Sequence, residues 1–165
     1  MKDDIDLMDV LKEHKNQQNT LSFIRESNKI EGIVRDPTEE EEDEFNRFLN
    51  LDEIKIADLI LFVKTYQPEA MIRNMSGMDV RVGSHIPEPG GTKVYYNLYN
   101  LLVRLDNLTP FEAHCEYETI HPFTDGNGRS GRMLWAWMMY KKTGFIYPSF
   151  LHQFYYQTLE HYQEK

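Results

Sequence analysis

His121-Pro122-Phe123-Thr124-Asp125-Gly126-Asn127-Gly128-Arg129-Ser130-Gly131-Arg132 is the densest run of chemistry-bearing residues in the chain. Apolar segments flank it. Thr109-Pro110 predicts the start of a helix over Phe111 to Ile120, and Met133, Leu134, Trp135, Trp137 and Met138 fill a second helix that Gly144 closes. A rigid helix therefore holds the run on each side. Gly126 and Gly128 let the backbone approach a ligand or take up positive φ. The helix that follows turns its unpaired N–H groups and positive dipole end toward the loop, which makes an anion site. Arg129 and Arg132, three apart, share a face of that helix start, and guanidinium forks suit phosphate oxygens. Asp125 supplies a hard oxygen ligand beside them, as Mg²⁺ requires. His121 can take a proton near neutral pH. Gly126 to Gly131 also satisfies G-x-G-x-x-G, but that dinucleotide fingerprint needs a preceding strand, and here a helix precedes. No Lys-Ser or Lys-Thr pair follows the glycines, so it is not a Walker loop either.

Outward from this loop most of the chain reads as helix. Leu7, Met8 and Leu11 support a first helix from Ile5 to about Asn16, and Thr20 reads as the cap of a second, with Leu21, Ile24 and Asn28 on one side. Asp36-Pro37-Thr38-Glu39 reads as a helix start with Asp36 as cap and Pro37 at its first position. The acidic run Glu39 to Glu44 reads as a solvated face in its first turns. Ile54 to Tyr66 and Val94 to Leu105 are amphipathic helices. Between them, Val80-Arg81-Val82 is the one strand-like piece, so Asp79 to Ile86 reads as a short hairpin or extended flap, stopped by Pro87, Pro89, Gly90 and Gly91. Tyr147-Pro148-Ser149 opens a last helix holding Phe154, Tyr155, Tyr156 and Leu159. The expectation is a single all-α domain over 1–165 with a small β element.

Composition bounds the function. With 165 residues, 41% apolar and 27% charged, the chain has the size and balance of one globular domain. No run approaches the roughly 18 apolar residues of a membrane helix. The start, MKDDIDLMD, lacks a hydrophobic signal core, and the single cysteine, Cys115, rules out an intramolecular disulfide and fits a reducing compartment. A cytoplasmic location is therefore expected. The net charge of −9 argues against nucleic acid or a membrane surface as partner, because phosphate-rich polymers need a basic footprint. It leaves one nucleotide, held by a few placed cations, open.

Residues 121–132 resemble the signature of the Fic family, H-x-F-x-D/E-G-N-G-R-x-x-R, with every defining position filled. The stretch VRVGSHIP, Val80 to Pro87, is similar to that family's target-docking flap. The resemblance implies a Fic-like helical bundle with a small β-hairpin flap over 79–87. It also implies transfer of AMP from ATP, with Mg²⁺, to a Ser, Thr or Tyr hydroxyl of a target protein, with pyrophosphate leaving. On that basis His121 is the general base, Asp125 the Mg²⁺ ligand, and Gly126, Asn127 and Gly128 the phosphate cradle. Arg129 supports the loop and phosphates, Arg132 holds the γ-phosphate, and Phe123 is buried beneath. Gly83, Ser84, His85 and Ile86 are the expected target contacts, through strand addition; His85 reads as an exposed flap residue rather than a second catalytic histidine. His114 and Cys115 read as core. Tyr155, Tyr156 and Leu159 resemble positions lining the family's adenine pocket, though helical spacing alone makes them a core stripe.

In the N-terminal segment, 1–35, Ser27-Asn28-Lys29-Ile30-Glu31-Gly32 matches the family's inhibitory pattern S/T-x-x-x-E-G/N. Ser27 and Glu31 lie one helical turn apart, and the resemblance implies that Glu31 pairs with Arg132 and occupies the γ-phosphate position. Gly131, in a first helical turn, is unusual and would loosen Arg132. Homo-oligomerisation is one route by which such a helix could be covered. Other readings of the same loop are removal of AMP, transfer of another phosphate-containing group, or a catalytically quiet nucleotide-binding module. A metal-dependent hydrolase fits worse, since His121 and Asp125 do not complete a zinc site.

Overall fold

The structure is a computed structural model and describes residues 7–148. Helix α1 (Leu7–Ile30) runs unbroken where two segments were expected. Thr20 has the chemistry of a cap, yet neither Gly nor Pro interrupts the chain before it. Its side chain is buried on the same stripe as Phe23, Ile24, Ser27 and Asn28, spaced three and four apart. Burial of that stripe carries the helix through.

Helix α2 (Glu39–Leu49) is capped by Thr38, two residues after the expected Asp36. Thr38 Oγ1 accepts from the Glu41 N–H at 3.2 Å, and Glu41 Oε2 accepts from the Thr38 N–H at 3.0 Å, a reciprocal capping box. Asp36 instead pairs with Arg25 at 2.9 Å. The acidic run is not a uniformly solvated face: Glu41 and Glu44 are buried. Each is met by an arginine fork, Arg35 on Glu41 at 2.7 and 2.9 Å and Arg47 on Glu44 at 2.7 Å through two nitrogens. Desolvation pushes the Glu41 pKa up, but Arg35, the Thr38 N–H and Asn28 outweigh it, and the carboxyl titrates below its usual range. Glu41→Ala strands these donors and removes half of the cap, so it is expected to cost about 2–3 kcal/mol at pH 7, read as a lower urea midpoint. A depressed carboxyl pKa stabilises the fold above the unfolded pKa and ceases to as pH falls through the folded one. The deficit of the variant should therefore shrink in acid.

Helix α3 (Ile56–Tyr66) begins two residues late, with Ile54 buried ahead of it. Helix α4 (Thr92–Val103) gives way at Arg104 to a short 3-10 turn, Leu105–Asn107, instead of continuing to Leu105. Helix α5 (Pro110–Ile120) has the expected Thr109 cap, reinforced by Glu112, and α6 (Asn127–Thr143) ends on Gly144 at φ +68°. Among the described residues no helix is long and apolar enough to cross a membrane. The core lies between α2, α3, α5 and α6, with Phe45, Phe48, Phe62, Leu59, Tyr117 and Leu134 at its centre. Phe48 and Phe62 meet edge to face at 5.5 Å.

The expected hairpin is absent. Val80-Arg81-Val82 forms no strand, and 79–87 carries one isolated bridge, in which Val82 and His85 exchange hydrogen bonds of 3.0 and 2.9 Å around Gly83 at φ +59°. The next rung would require an N–H from residue 87, and Pro87 has none. The segment is a turn closed by that single bridge. A second bridge joins Ile72 to Phe123: Arg73 N–H donates to Pro122 O at 2.8 Å and Thr124 N–H to Met71 O at 2.9 Å. It fastens the glycine-rich loop to the chain leading into the turn.

Candidate active site

The site is built where α5 stops and α6 begins. His121 ends α5 in a left-handed conformation, φ +49°, and is the one non-glycine residue with positive φ among the described residues. That conformation costs a β-carbon-bearing residue about 1–3 kcal/mol and persists only where surroundings fix it. Here the His121 N–H bonds Tyr117 O at 2.9 Å, and its carbonyl accepts from Arg73 Nε at 2.7 Å. The imidazole keeps 15% of its side-chain surface exposed, with Nδ1 3.9 Å from Glu118 Oε2. Burial, and then the nearby Arg73 charge, push its pKa down to about 4. At pH 7 the ring is neutral and holds a lone pair ready for a proton.

Below His121 the loop closes on itself. Phe123 is buried as expected, and the Asn127 amide brackets it, accepting from Phe123 N–H and donating to Phe123 O, both at 2.8 Å. The Asn127 side chain therefore staples the loop, leaving its backbone for any cradle. Gly126 stands at φ +78°, and a β-carbon there would sit 3.2 Å from Val63 Cγ1, so conformation and packing both demand glycine. It leaves α6 without a side-chain cap, and the first-turn N–H groups form the positive end of the helix beside Asp125. Asp125 is exposed, with Oδ1 accepting the Gly126 N–H at 2.6 Å.

The two arginines are used differently. Arg129 is buried with its guanidinium 4.8 Å over the Tyr66 ring, a loop-supporting position. Arg132 is 1% exposed, and its Nε donates to Ser27 Oγ at 2.8 Å while Nη2 donates to Ser27 O at 3.0 Å and to Glu31 Oε1 at 2.5 Å. Glu31, more than a hundred residues away in sequence, thus lies on the arginine named for it, and Ser27, for which no partner was expected, holds the same guanidinium. Glu31 keeps 34% of its side chain exposed. A β-carbon on Gly128 would run into Glu31 Oε1, so glycine there lets the carboxylate lie over the start of α6.

Gly131 has a packing reason. A β-carbon on it would strike Glu118 Oε1 and lie 3.0 Å from Tyr117 Cδ1, so α5 and α6 approach there closely. Alanine favours helix by about 1 kcal/mol over glycine. Gly131→Ala is nonetheless expected to destabilise the fold by about 1–3 kcal/mol, because a packed seam must open. Chemical denaturation checks this, and a net gain would mean that the seam yields freely.

The sequence did not point to two of the residues at the site. Glu118 is buried against His121, and desolvation, opposed by the Arg132 charge, raises its carboxyl pKa to about 7. Its three-residue offset from His121 was the available signal. Arg73 is completely buried and bonds backbone carbonyls, a role that no local pattern announces. His114 and Cys115 are buried as expected; burial lowers the His114 pKa to about 4 and raises that of Cys115 to about 12. In the turn, Gly83, Ser84 and Ile86 are exposed. His85 departs from expectation: it is half-buried, its Nε2 donating to Thr119 O at 3.0 Å. Tyr155, Tyr156 and Leu159 lie outside the described residues. No group of three or more His, Cys, Asp or Glu among the described residues could hold a metal. A single carboxylate beside a phosphate cradle still fits Mg²⁺, which takes one or two carboxylates and completes its shell with substrate phosphates and water.

The Fic/DOC family model matches residues 48–139, more than half of the chain. No curated protein matches the sequence. Solved structures do. A Fic family protein from Desulfovibrio desulfuricans superposes with a TM-score of 0.61 at 21% identity, over 83% of this chain and 52% of that one. A fragment of Fic-1 from C. elegans gives a TM-score of 0.68 at 21% identity, over 93% of this chain and 58% of that one. At that identity the likeness is one of fold. The chain spans a little over half the length of these solved relatives.

Proposed function

The chain belongs to the Fic/DOC family, whose members are generally transferases and often transfer AMP, and on that premise we propose that it is an autoinhibited protein adenylyltransferase. The observation that carries the reading is that the loop after α5 and the first turns of α6 carry together a half-buried His121, an uncapped helix start and the buried Arg132 with Glu31 on it. In this reaction a hydroxyl oxygen of a target Ser, Thr or Tyr attacks the α-phosphorus of ATP. The bond to the bridging oxygen breaks and pyrophosphate leaves. His121 takes the hydroxyl proton, using Nε2 while Nδ1 faces Glu118. The backbone at Gly126 and the first-turn amides of α6, at Asn127 and Gly128, form the phosphate cradle, and Arg129 braces the loop from below. Asp125 is the residue that would hold Mg²⁺, which supplies charge neutralisation at the phosphates when bound. The exposed turn 83–86 would present backbone to an extended target segment.

Glu31 supports the autoinhibited form of this reading. It lies on the Arg132 guanidinium, the group assigned to the γ-phosphate, so the carboxylate and a productively seated ATP compete for one cation. The deciding experiment is transfer of label from α-labelled ATP with Mg²⁺, comparing the native chain, Glu31→Gly, and Glu31→Gly with His121→Ala. Strong labelling in the single variant alone supports transferase, base and lock together. No labelling in any chain, with ATP still bound, moves the reading to another transferred group or to a binding module. The position of Glu31 beside the loop favours one second reaction, removal of AMP with Glu31 activating water. Release of AMP from a modified protein by the native chain, lost in Glu31→Gly, is its signature.

A further inference from the structure

Arg73 is, with Arg132, one of the two largest fully buried side chains of the described residues, and none of its hydrogen bonds goes to a carboxylate. Its Nε donates to His121 O at 2.7 Å and its Nη2 to Ile120 O at 3.1 Å, the last carbonyls of α5. Its Nη1 donates to Met78 O at 3.1 Å and to Glu88 O at 3.0 Å, the two feet of the turn segment 79–87. The feet are drawn together by Gly90 N–H on Asp79 Oδ1 at 2.8 Å, and a β-carbon on Gly90 would collide with the carbonyls of Met75 and Met78. At the tip, His85 Nε2 holds the preceding α5 carbonyl, Thr119 O, at 3.0 Å. Three successive carbonyls at the end of α5 are thus taken by side chains, one by His85 of the turn and two by Arg73, which precedes it. Helix C-termini leave such carbonyls unpaired and favour a cation. A planar fork spreads its five donors across two separate pieces of backbone, whereas an ammonium must reach both from one point.

We propose that Arg73 is a positioning residue for the transfer reaction, clasping the docking turn 79–87 to the end of α5 so that a bound target hydroxyl meets His121. The clasp rests on the adenylyltransferase reading, since it is that reaction that needs a turn and a base held at one distance. In-line transfer tolerates little misplacement: an ångström of drift in a bound nucleophile can cost on the order of 10²-fold. The Arg73 charge also faces the imidazole, together with Glu118 of α5, His85 of the turn and Glu31 of α1. Replacing it therefore alters the acid side of the rate profile as well as the geometry.

The test uses the Glu31→Gly chain as parent, with self-labelling from α-labelled ATP as the probe. Arg73→Met is expected to lower the self-labelling rate at saturating MgATP at least tenfold and leave MgATP affinity within about twofold. The acid limb of kcat/KM for ATP should move to higher pH, because a positive charge beside His121 has gone. Arg73→Lys should restore that limb without restoring the rate. Parent-like labelling in Arg73→Met overturns the proposal, as does a loss of MgATP affinity that parallels the loss of rate with the limb unmoved. Should Arg73→Met fail to fold, Arg73→Lys decides alone: reduced rate with parent-like affinity supports the clasp, and parent-like rate overturns it. Amide hydrogen exchange over 79–87 needs no activity: it should speed up in either variant relative to the rest of the chain, and unchanged exchange overturns the clasp. A parent that does not label, with exchange still faster in the variants, indicts the adenylyltransferase reading and leaves the clasp standing.

Discussion

His121→Ala, made in a Glu31→Gly chain, is expected to lower AMP transfer by on the order of 10²–10⁴-fold, the usual contribution of a placed general base. MgATP affinity should change little, because the phosphates are met by the α6 amides and Arg132 rather than by the imidazole. The left-handed backbone at position 121 complicates the alanine result, since Ala favours that region less than the native residue does. His121→Asn separates the two effects: asparagine tolerates left-handed φ and offers hydrogen bonds, yet cannot take a proton near neutrality. Equal losses in both variants place the effect on the base; a largely active Asn variant would remove His121 from that role. The pH profile adds an independent check. A base works in its neutral form, so activity is lost as pH falls through the His121 pKa. With that pKa pushed down to about 4 by burial and Arg73, the acid limb of kcat/KM, which reports the free enzyme, should lie below the ~6.5 of an ordinary histidine. Glu31→Gly removes a carboxylate that raises the His121 pKa, so the parent variant should show this more strongly than the native chain.

What could be read in advance follows how far apart in sequence the causes lie. The Thr109 cap and the Gly144 stop are decided within a few residues, and the loop 121–132 carries its own chemistry in its composition. Such signals survive without knowledge of the fold. Thr20 misled because a cap residue and a buried mid-helix threonine look alike until the partner face is known. Glu41 and Glu44 misled for the same reason: a run of carboxylates reads as solvent-facing unless Arg35 and Arg47 are seen to reach them. Gly131 looked like a flaw that would loosen Arg132, whereas it is the gap that admits Glu118 between α5 and α6. The hairpin failed on one missing donor, at Pro87, two residues past the Val82–His85 bridge. Arg73 was invisible because its acceptors are backbone carbonyls, at Ile120 and His121 on one side and Met78 and Glu88 on the other, and carbonyls leave no mark in a sequence.

Glu31→Gly is expected to raise AMP transfer from saturating MgATP by roughly 10–100-fold, the range open to a lock that leaves about 1–10% of molecules competent. The geometry explains why one carboxylate suffices. Arg132 is held from one side by Ser27, through Nε on Oγ and Nη2 on the carbonyl, and those bonds remain when Glu31 is removed. The guanidinium therefore stays aimed while its outer edge opens to a phosphate. Removing the carboxylate leaves a buried cation with less compensation, and breaking one partner of a buried pair is normally destabilising. The variant should accordingly melt lower than the native chain without nucleotide, by less than a fully buried pair would imply because Glu31 is 34% exposed. MgATP should then restore more stability to Glu31→Gly than to the native chain, since its γ-phosphate supplies the missing anion. A thermal shift with MgATP that is larger in the variant, together with the rise in labelling, ties the lock to the Arg132 anion site. Equal shifts and unchanged labelling would mean that Glu31 is a surface carboxylate resting on an arginine that ATP does not need.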